Sequence, residues 1–164
     1  MLLPRLLIGG LGMGYTLRAA LDALPPQAAV CVAEIEPAVI AWCRGPIAHL
    51  TGGAIADPRV VVREADVASV IAEAAADPQC RFDAIALDLF EGPRGTKREA
   101  RDPLYGDVAL TVAHRALRPG GVLVIWSEAP AQGFDRRLGA AGFRTRRSRA
   151  GRGGRRHVVY EARR

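Results

Sequence analysis

The chain is poor in aromatic side chains, which make up 5% of its 164 residues. Its core must therefore come from Ala, Val, Leu and Ile, and it lacks the aromatic platforms on which single-stranded nucleic acids stack. Long apolar runs are missing as well: none approaches the ~20 residues of a membrane span. The opening Met1-Leu2-Leu3 is broken at once by Pro4 and Arg5, which does not make a signal peptide, and a cytoplasmic protein is expected. Cysteine is sparse. Cys31, Cys43 and Cys80 are odd in number and show no CxxC spacing, which argues against a disulfide framework and a zinc site. They are expected to be reduced, buried and inert. Internal repeats and low-complexity linkers are absent apart from one Arg/Gly segment near the end, so 1–164 reads as a single domain.

Charge is not scarce, but it is unevenly placed. The net charge is +6 and the isoelectric point about 10.0. Arg144, Arg146, Arg147, Arg149, Arg152, Arg155 and Arg156 crowd one stretch around Gly151, Gly153 and Gly154. That composition is read as a solvated hairpin loop rather than a nucleic-acid surface.

Apolar, strand-like runs alternate with helix-like stretches along the chain, the order that builds a parallel sheet covered on both faces. Strands are expected over Leu6 to Gly10, Val30 to Ile35, Val60 to Val62, Phe82 to Leu89 and Val122 to Trp126. Helices are expected over Tyr15 to Leu24, Pro37 to about Leu50, Val67 to Ala76, Pro103 to Leu117 and Ala131 to Ala141. Arg94 to Asp102 is polar, without periodicity, and reads as a loop. Phe143 to Arg147 with Val158 to Ala162 closes the chain as an antiparallel hairpin, for seven strands in all.

The first strand runs into Gly9-Gly10-Leu11-Gly12-Met13-Gly14 and then a helix. Gly10, Gly12 and Gly14 can take positive φ or let a ligand approach the backbone, and the helix N-terminus beyond offers unpaired N–H groups. In an open parallel sheet, ligands bind outside the carboxyl ends of the strands. Acidic residues gather there: Glu34 and Glu36 at the end of the second strand, Asp66 after the third, Asp88 at the end of the fourth, followed by Glu91, and Glu128 with Ser127 after the fifth. Glu34 is placed to take both hydroxyls of a ribose, whereas Glu36, before Pro37, suits the start of a helix. Asp66 either accepts from an adenine amino group or caps the following helix. Asp88 ends the apolar run Ala84-Ile85-Ala86-Leu87, where a buried carboxylate would need a partner. Together these residues imply an adenosine-containing ligand.

The chain resembles the spermidine synthase group of the S-adenosylmethionine-dependent methyltransferase superfamily. The resemblance rests on Ile8-Gly9-Gly10 with Thr16-Leu17-Arg18, on Glu34-Ile35-Glu36-Pro37, on Asp57-Pro58-Arg59-Val60 and on Asp66. It continues through Phe82-Asp83-Ala84-Ile85 to Asp88, then Gly92-Pro93, Leu104-Tyr105 and Leu117-Arg118-Pro119-Gly120-Gly121. It implies a Rossmann-like class I methyltransferase fold with helices on both faces of the sheet, S-adenosylmethionine or decarboxylated S-adenosylmethionine as co-substrate, no metal, and a dimer. It further implies that Glu34 binds ribose, that Asp66 reads adenine, and that Asp88 deprotonates an attacking amine. Glu91 would hold the diamine, and Tyr105 joins the catalytic candidates.

Two departures bear on the reaction. The glycine turn carries Leu11-Gly12-Met13 and one extra residue before Thr16, where aminopropyltransferases place an Asp. Leu89 and Phe90 stand where the family has small hydroxylated residues, and they narrow a diamine pocket. The family's N-terminal β-hairpin domain is not expected. Aminopropyl transfer to an amine, methyl transfer to another small molecule, and a non-catalytic binding module of the same fold all stay open.

Overall fold

A computed structural model describes residues 3–89, 92–94, 100–150 and 157–164. Seven strands form one sheet in the order β3-β2-β1-β4-β5-β7-β6. They are β1 Arg5–Gly9, β2 Ala29–Glu34, β3 Val60–Glu64, β4 Phe82–Leu87, β5 Leu117–Ser127, β6 Arg144–Ala150 and β7 His157–Arg163. The first five run parallel, and β7 is antiparallel to both β5 and β6. The expected sheet with its terminal hairpin is thus present. Chain connections leave β1 toward β2 and leave β4 toward β5, so the strand order reverses between the parallel neighbours β1 and β4, where such folds open a crevice.

Among the described residues five α-helices join the strands: α1 Tyr15–Ala23, α2 Pro37–Arg44, α3 Val67–Ala76, α4 Asp107–Ala116 and α5 Phe134–Ala140. Helix α3 shows how directly sequence becomes packing. Val67, Val70, Ile71, Ala74 and Ala75 repeat at helical spacing and are all buried, while Asp66 caps the first turn. Beyond it, Asp77 and Pro78 stop the helix.

Helix α2 ends at Arg44 rather than near Leu50, because Pro46 cannot continue it and disfavours helical geometry at Gly45; two short 3₁₀ turns, Ala48–Thr51 and Ala54–Ala56, follow. Helix α4 starts at Asp107 rather than Pro103, because Asp102 holds a tight turn over Leu104 and Tyr105. Strand β5 begins at Leu117, drawing Pro119-Gly120-Gly121 into an irregular pairing with β4. Of the crowded arginines, Arg144, Arg146 and Arg147 lie on the edge strand β6 within the strand expected over Phe143 to Arg147, and the strand continues past that bound to include Arg149, expected in the hairpin loop. Arg152, Arg155 and Arg156 lie outside the described residues.

The two faces of the sheet are covered unequally. On one, Leu7, Ile85, Leu123, Ile125 and Tyr160 are fully buried beneath α3, α4 and α5. On the other, α1 and α2 cover Ile8, Val30 and Val32, but the core they seal contains no residue of β4, β5 or β7. Coverage of both faces, as read from the alternating pattern, therefore holds only for part of the sheet.

The cysteines are all free, and only Cys43 is buried. Cys31 is half-buried, its thiol pushed up by desolvation. Cys80 is exposed, contrary to expectation. Its thiol donates to the Asp77 carboxylate at 3.3 Å, and that bond raises its pKa.

Candidate active site

The carboxyl ends of β3, β2, β1 and β4 lie in one row. Gly9 pairs with Ala33 on one side and Leu87 on the other, so Gly10, Glu34 and Asp88 are the next residues out on three adjacent strands. Glu34 and Asp88 are therefore about 10 Å apart, two strand spacings.

Gly10, Gly12 and Gly14 all have positive φ, at 87°, 51° and 84°. Gly10 must also lack a side chain, because a Cβ there would sit 2.8 Å from the Asp88 carbonyl oxygen and 2.9 Å from Leu89 Cδ2. Gly14 caps α1 without a side-chain hydrogen bond.

Glu34 anchors this turn. It is 8% exposed; its Oε2 accepts from the Leu11 N–H at 2.8 Å and its Oε1 from the Glu36 N–H at 2.9 Å. A carboxylate has about four lone-pair sites, so two remain for a ligand. Glu36 precedes α2 as expected, but its side chain makes no capping bond.

Glu34 and Gly10 line a cleft of about 360 Å³ with Asp66, Leu89, Asp102, Leu104 and Tyr105. Three carboxylates face this space, and among the described residues none that lines it is cationic. Asp66 serves as the α3 cap, its Oδ1 accepting from the Ala68 N–H at 2.9 Å, while also lining the cleft. Tyr105 is buried, edge-on to Phe134 with ring centres 6.2 Å apart. Asp102 is a cleft residue that motif reading missed; the turn signal Asp102-Pro103 was its only trace. A second cavity of about 430 Å³ between α3 and α4 shares Ala68, Asp102, Pro103 and Leu104 with the cleft.

Asp88 lies one residue past β4 and is exposed, not buried as the apolar run before it suggested. Its N–H donates to the Gly9 carbonyl at 3.1 Å, and its Oδ2 accepts from Thr16 Oγ1 at 2.5 Å. Thr16 is thus a further site residue. Glu91, like Phe90, lies outside the described residues. Ser127 is structural: it is fully buried, and its hydroxyl donates to the Ala129 carbonyl at 2.7 Å. Glu128 lines a separate cavity of about 280 Å³ with Arg94.

Among the described residues no cluster of His, Cys, Asp or Glu could hold a metal ion, and no helix is long and apolar enough to cross a membrane.

No protein-family profile matches the chain. Curated polyamine aminopropyltransferases of Mycobacterium tuberculosis and Mycobacterium bovis are 33% identical to it over 125 residues, 76% of this chain and 23% of theirs. The chain thus spans about a quarter of the length of the curated relatives it matches. Among solved structures, spermidine synthase in complex with the transition-state analogue AdoDATO superimposes with a TM-score of 0.75 at 22% identity, over 98% of this chain and 52% of that one. Thermotoga maritima spermidine synthase gives the same TM-score and identity, over 98% and 53%. Human methyltransferase-like protein 13, in complex with SAH, gives 0.74 and 22%, over 97% and 71%. The chain is thus similar in sequence to the polyamine aminopropyltransferases over 125 residues and shares the Rossmann-like methyltransferase fold of the spermidine synthases and of methyltransferase-like protein 13.

Proposed function

We propose that the cleft binds the adenosyl sulfonium of S-adenosylmethionine or its decarboxylated form, and that the chain is a transferase acting on that donor. The observation that carries this reading is the cleft's charge: Glu34, Asp66 and Asp102 face it beside a glycine turn, and among the described residues none that lines it is cationic. A sulfonium is a cation, and carboxylates attract it through a low-dielectric cleft. Anionic nucleotides would be disfavoured there.

Glu34 takes the ribose hydroxyls with its two remaining lone-pair sites, and Asp66 accepts from the adenine amino group. Gly10, Gly12 and Gly14 let the sulfonium side of the donor approach the backbone. Asp88, one strand over, accepts the proton of an amine as its nitrogen attacks the carbon beside the sulfur; the new C–N bond forms as the C–S bond breaks and the thioether leaves. Most of the barrier reduction comes from holding the amine in line with the leaving sulfur. Glu91 is assigned to the amine substrate and Tyr105 to the wall of the cleft. A polyamine is the acceptor class that the aminopropyltransferase relatives support.

Methyl transfer to a less polar small molecule is the second reading. Leu89 favours it, because it places an aliphatic side chain on the cleft wall directly after Asp88. The donor separates the two.

Titration calorimetry with S-adenosylmethionine, its decarboxylated form and their two nucleoside products tests the proposal. Saturable binding of at least one donor and its product is expected. Turnover with the decarboxylated donor and an amine supports aminopropyl transfer, and turnover with the ordinary donor supports methyl transfer. If none of the four compounds binds, the assignment of the cleft is wrong.

A further inference from the structure

Strands β4, β5 and β7 present opposite faces with very different environments. Residues pointing to one side, Ile85, Leu123, Ile125, Tyr160 and Ala162, are fully buried. Their neighbours one position along, Ala84, Ala86, Val122, Val124, Trp126 and Val159, are only partly buried. They share the face on which α1 and α2 seal β1 to β3, yet the core under those helices includes none of them. Parallel strands of this composition are ordinarily covered on both faces.

The open face has a shape and a charged border. Register places Ala84 beside Val122, Ala86 beside Val124, and Trp126 beside Val159. Three strands span about 10 Å, the diameter of one α-helix with its side chains. On the same face, register continues outward to Arg163 opposite Val122, then to Arg144 and Arg146 on β6. All three arginines are exposed, and none forms an ion pair among the described residues. Glu161, beside Arg146 in register, is the one carboxylate in that row. Arg144 and Arg163 stand directly opposite each other, a like-charge pairing that an anion between them would relieve.

We propose that this face docks an amphipathic α-helix of another polypeptide. The helix lays its apolar stripe over Ala84, Ala86, Val122, Val124 and Trp126, and turns an acidic flank toward Arg144, Arg146 and Arg163. The inference does not depend on the adenosyl-binding assignment, because the face uses none of the cleft residues.

Trp126 supplies the readout. The chain has two tryptophans, and replacing the exposed Trp42 by Phe leaves Trp126 as the reporter. The probe is a synthetic helix-forming peptide with leucines at i, i+3, i+4 and i+7 and glutamates along one flank, with a lysine-flanked version as control. A saturable blue shift of Trp126 is expected, with the glutamate peptide binding at least about tenfold more tightly at low salt. The double variant Arg144→Glu with Arg146→Glu changes only exposed side chains; it is expected to reverse the preference while the far-ultraviolet dichroism stays unchanged. Absence of a shift, equal binding of both peptides, or a preference that survives the double variant would overturn the proposal. So would a concentration-dependent dimer that shields Trp126 without peptide, since a second copy would then be the occupant.

Discussion

Thr16 Oγ1 donates a 2.5 Å hydrogen bond to Asp88 Oδ2, tying the first turn of α1 to the residue just past β4. The bond crosses the point where the strand order reverses, and it fixes an otherwise exposed carboxylate at the mouth of the crevice. Asp88 has a settled orientation without being buried, so it stays accessible to an acceptor.

Replacing Asp88 with Asn therefore tests the chemistry apart from the fold. Transfer is expected to fall by about 10²-fold or more, the usual worth of a positioned general base. Affinity for the nucleoside product stays within a factor of a few, because the Asp88 side chain does not line the cleft. Thr16→Val keeps the carboxylate but frees its rotamer, and a smaller loss, in kcat rather than KM, is expected. Steady-state kinetics beside product calorimetry decide both, and full transfer by Asp88→Asn would remove Asp88 from the mechanism.

Glu34→Gln probes a residue with two tasks. The carboxylate accepts from the Leu11 and Glu36 N–H groups, and a carboxamide has one oxygen with which to meet both donors. Its NH₂ must then face a buried N–H, at a cost of about 1–3 kcal/mol. Denaturant unfolding is expected to show that loss, and calorimetry a drop of about tenfold or more in affinity for the adenosyl ligand. A variant that loses stability yet binds normally would leave Glu34 with only the task of bracing the turn.

Legibility of the sequence tracked how local each cause was. Helix α3 was readable end to end because its cap, its buried spacing and its stop all fall within a dozen residues. The position of Glu34 was readable, but its bond to Leu11 was not, since the two are 23 residues apart and meet through the turn's conformation. The expected fourth strand runs two residues too far: Leu89 extends the apolar run past Asp88, whereas strand pairing stops at Leu87 and leaves Asp88 just beyond the sheet. Asp102 sits in a polar stretch with no periodicity to show that its turn reaches the cleft. Strand β6 was legible only as far as Arg147, because arginine on both faces of an exposed edge erases the alternation by which half-buried strands are recognised. The uncovered face of β4, β5 and β7 was invisible because Ala84, Val122 and Val124 look like any other buried positions.

The glycine turn invites a paired comparison. Gly10 and Gly12 both have positive φ, so alanine at either position bears the left-handed strain of roughly 1–2 kcal/mol. A Cβ on Gly12 meets nothing within 4 Å, whereas one on Gly10 collides with the Asp88 backbone and Leu89. Gly10→Ala is expected to be the more destabilising by at least about 1 kcal/mol, in the range of overpacked sites, and to reduce transfer by displacing Asp88. Urea denaturation of the two variants measures the difference; equal losses would mean that the segment after β4 yields to the added methyl.

His114 on α4 sets an expectation for pH. Its ring lies against Phe143, with centres 4.9 Å apart, and a Cβ on Gly142 would stand 3.2 Å from its Nε2. Burial is the main reason its imidazole is held below the ordinary value of 6.5, with the charge of Arg164 adding to the effect. The unfolded chain therefore binds a proton more readily than the folded one, and the stability due to neutral His114 is complete above the unfolded value. It drains away as pH falls from about 6.5 through the lower folded-state value. Thermal unfolding followed from about pH 7.5 to about pH 5.5 should show a shallower decline for His114→Leu than for the wild-type chain. The gap between the two slopes should amount to a few degrees at most, because the ring is only partly buried. Parallel slopes would show that His114 keeps its charge equilibrium unchanged on folding, and that the contacts with Phe143 and Gly142 leave room for the protonated ring.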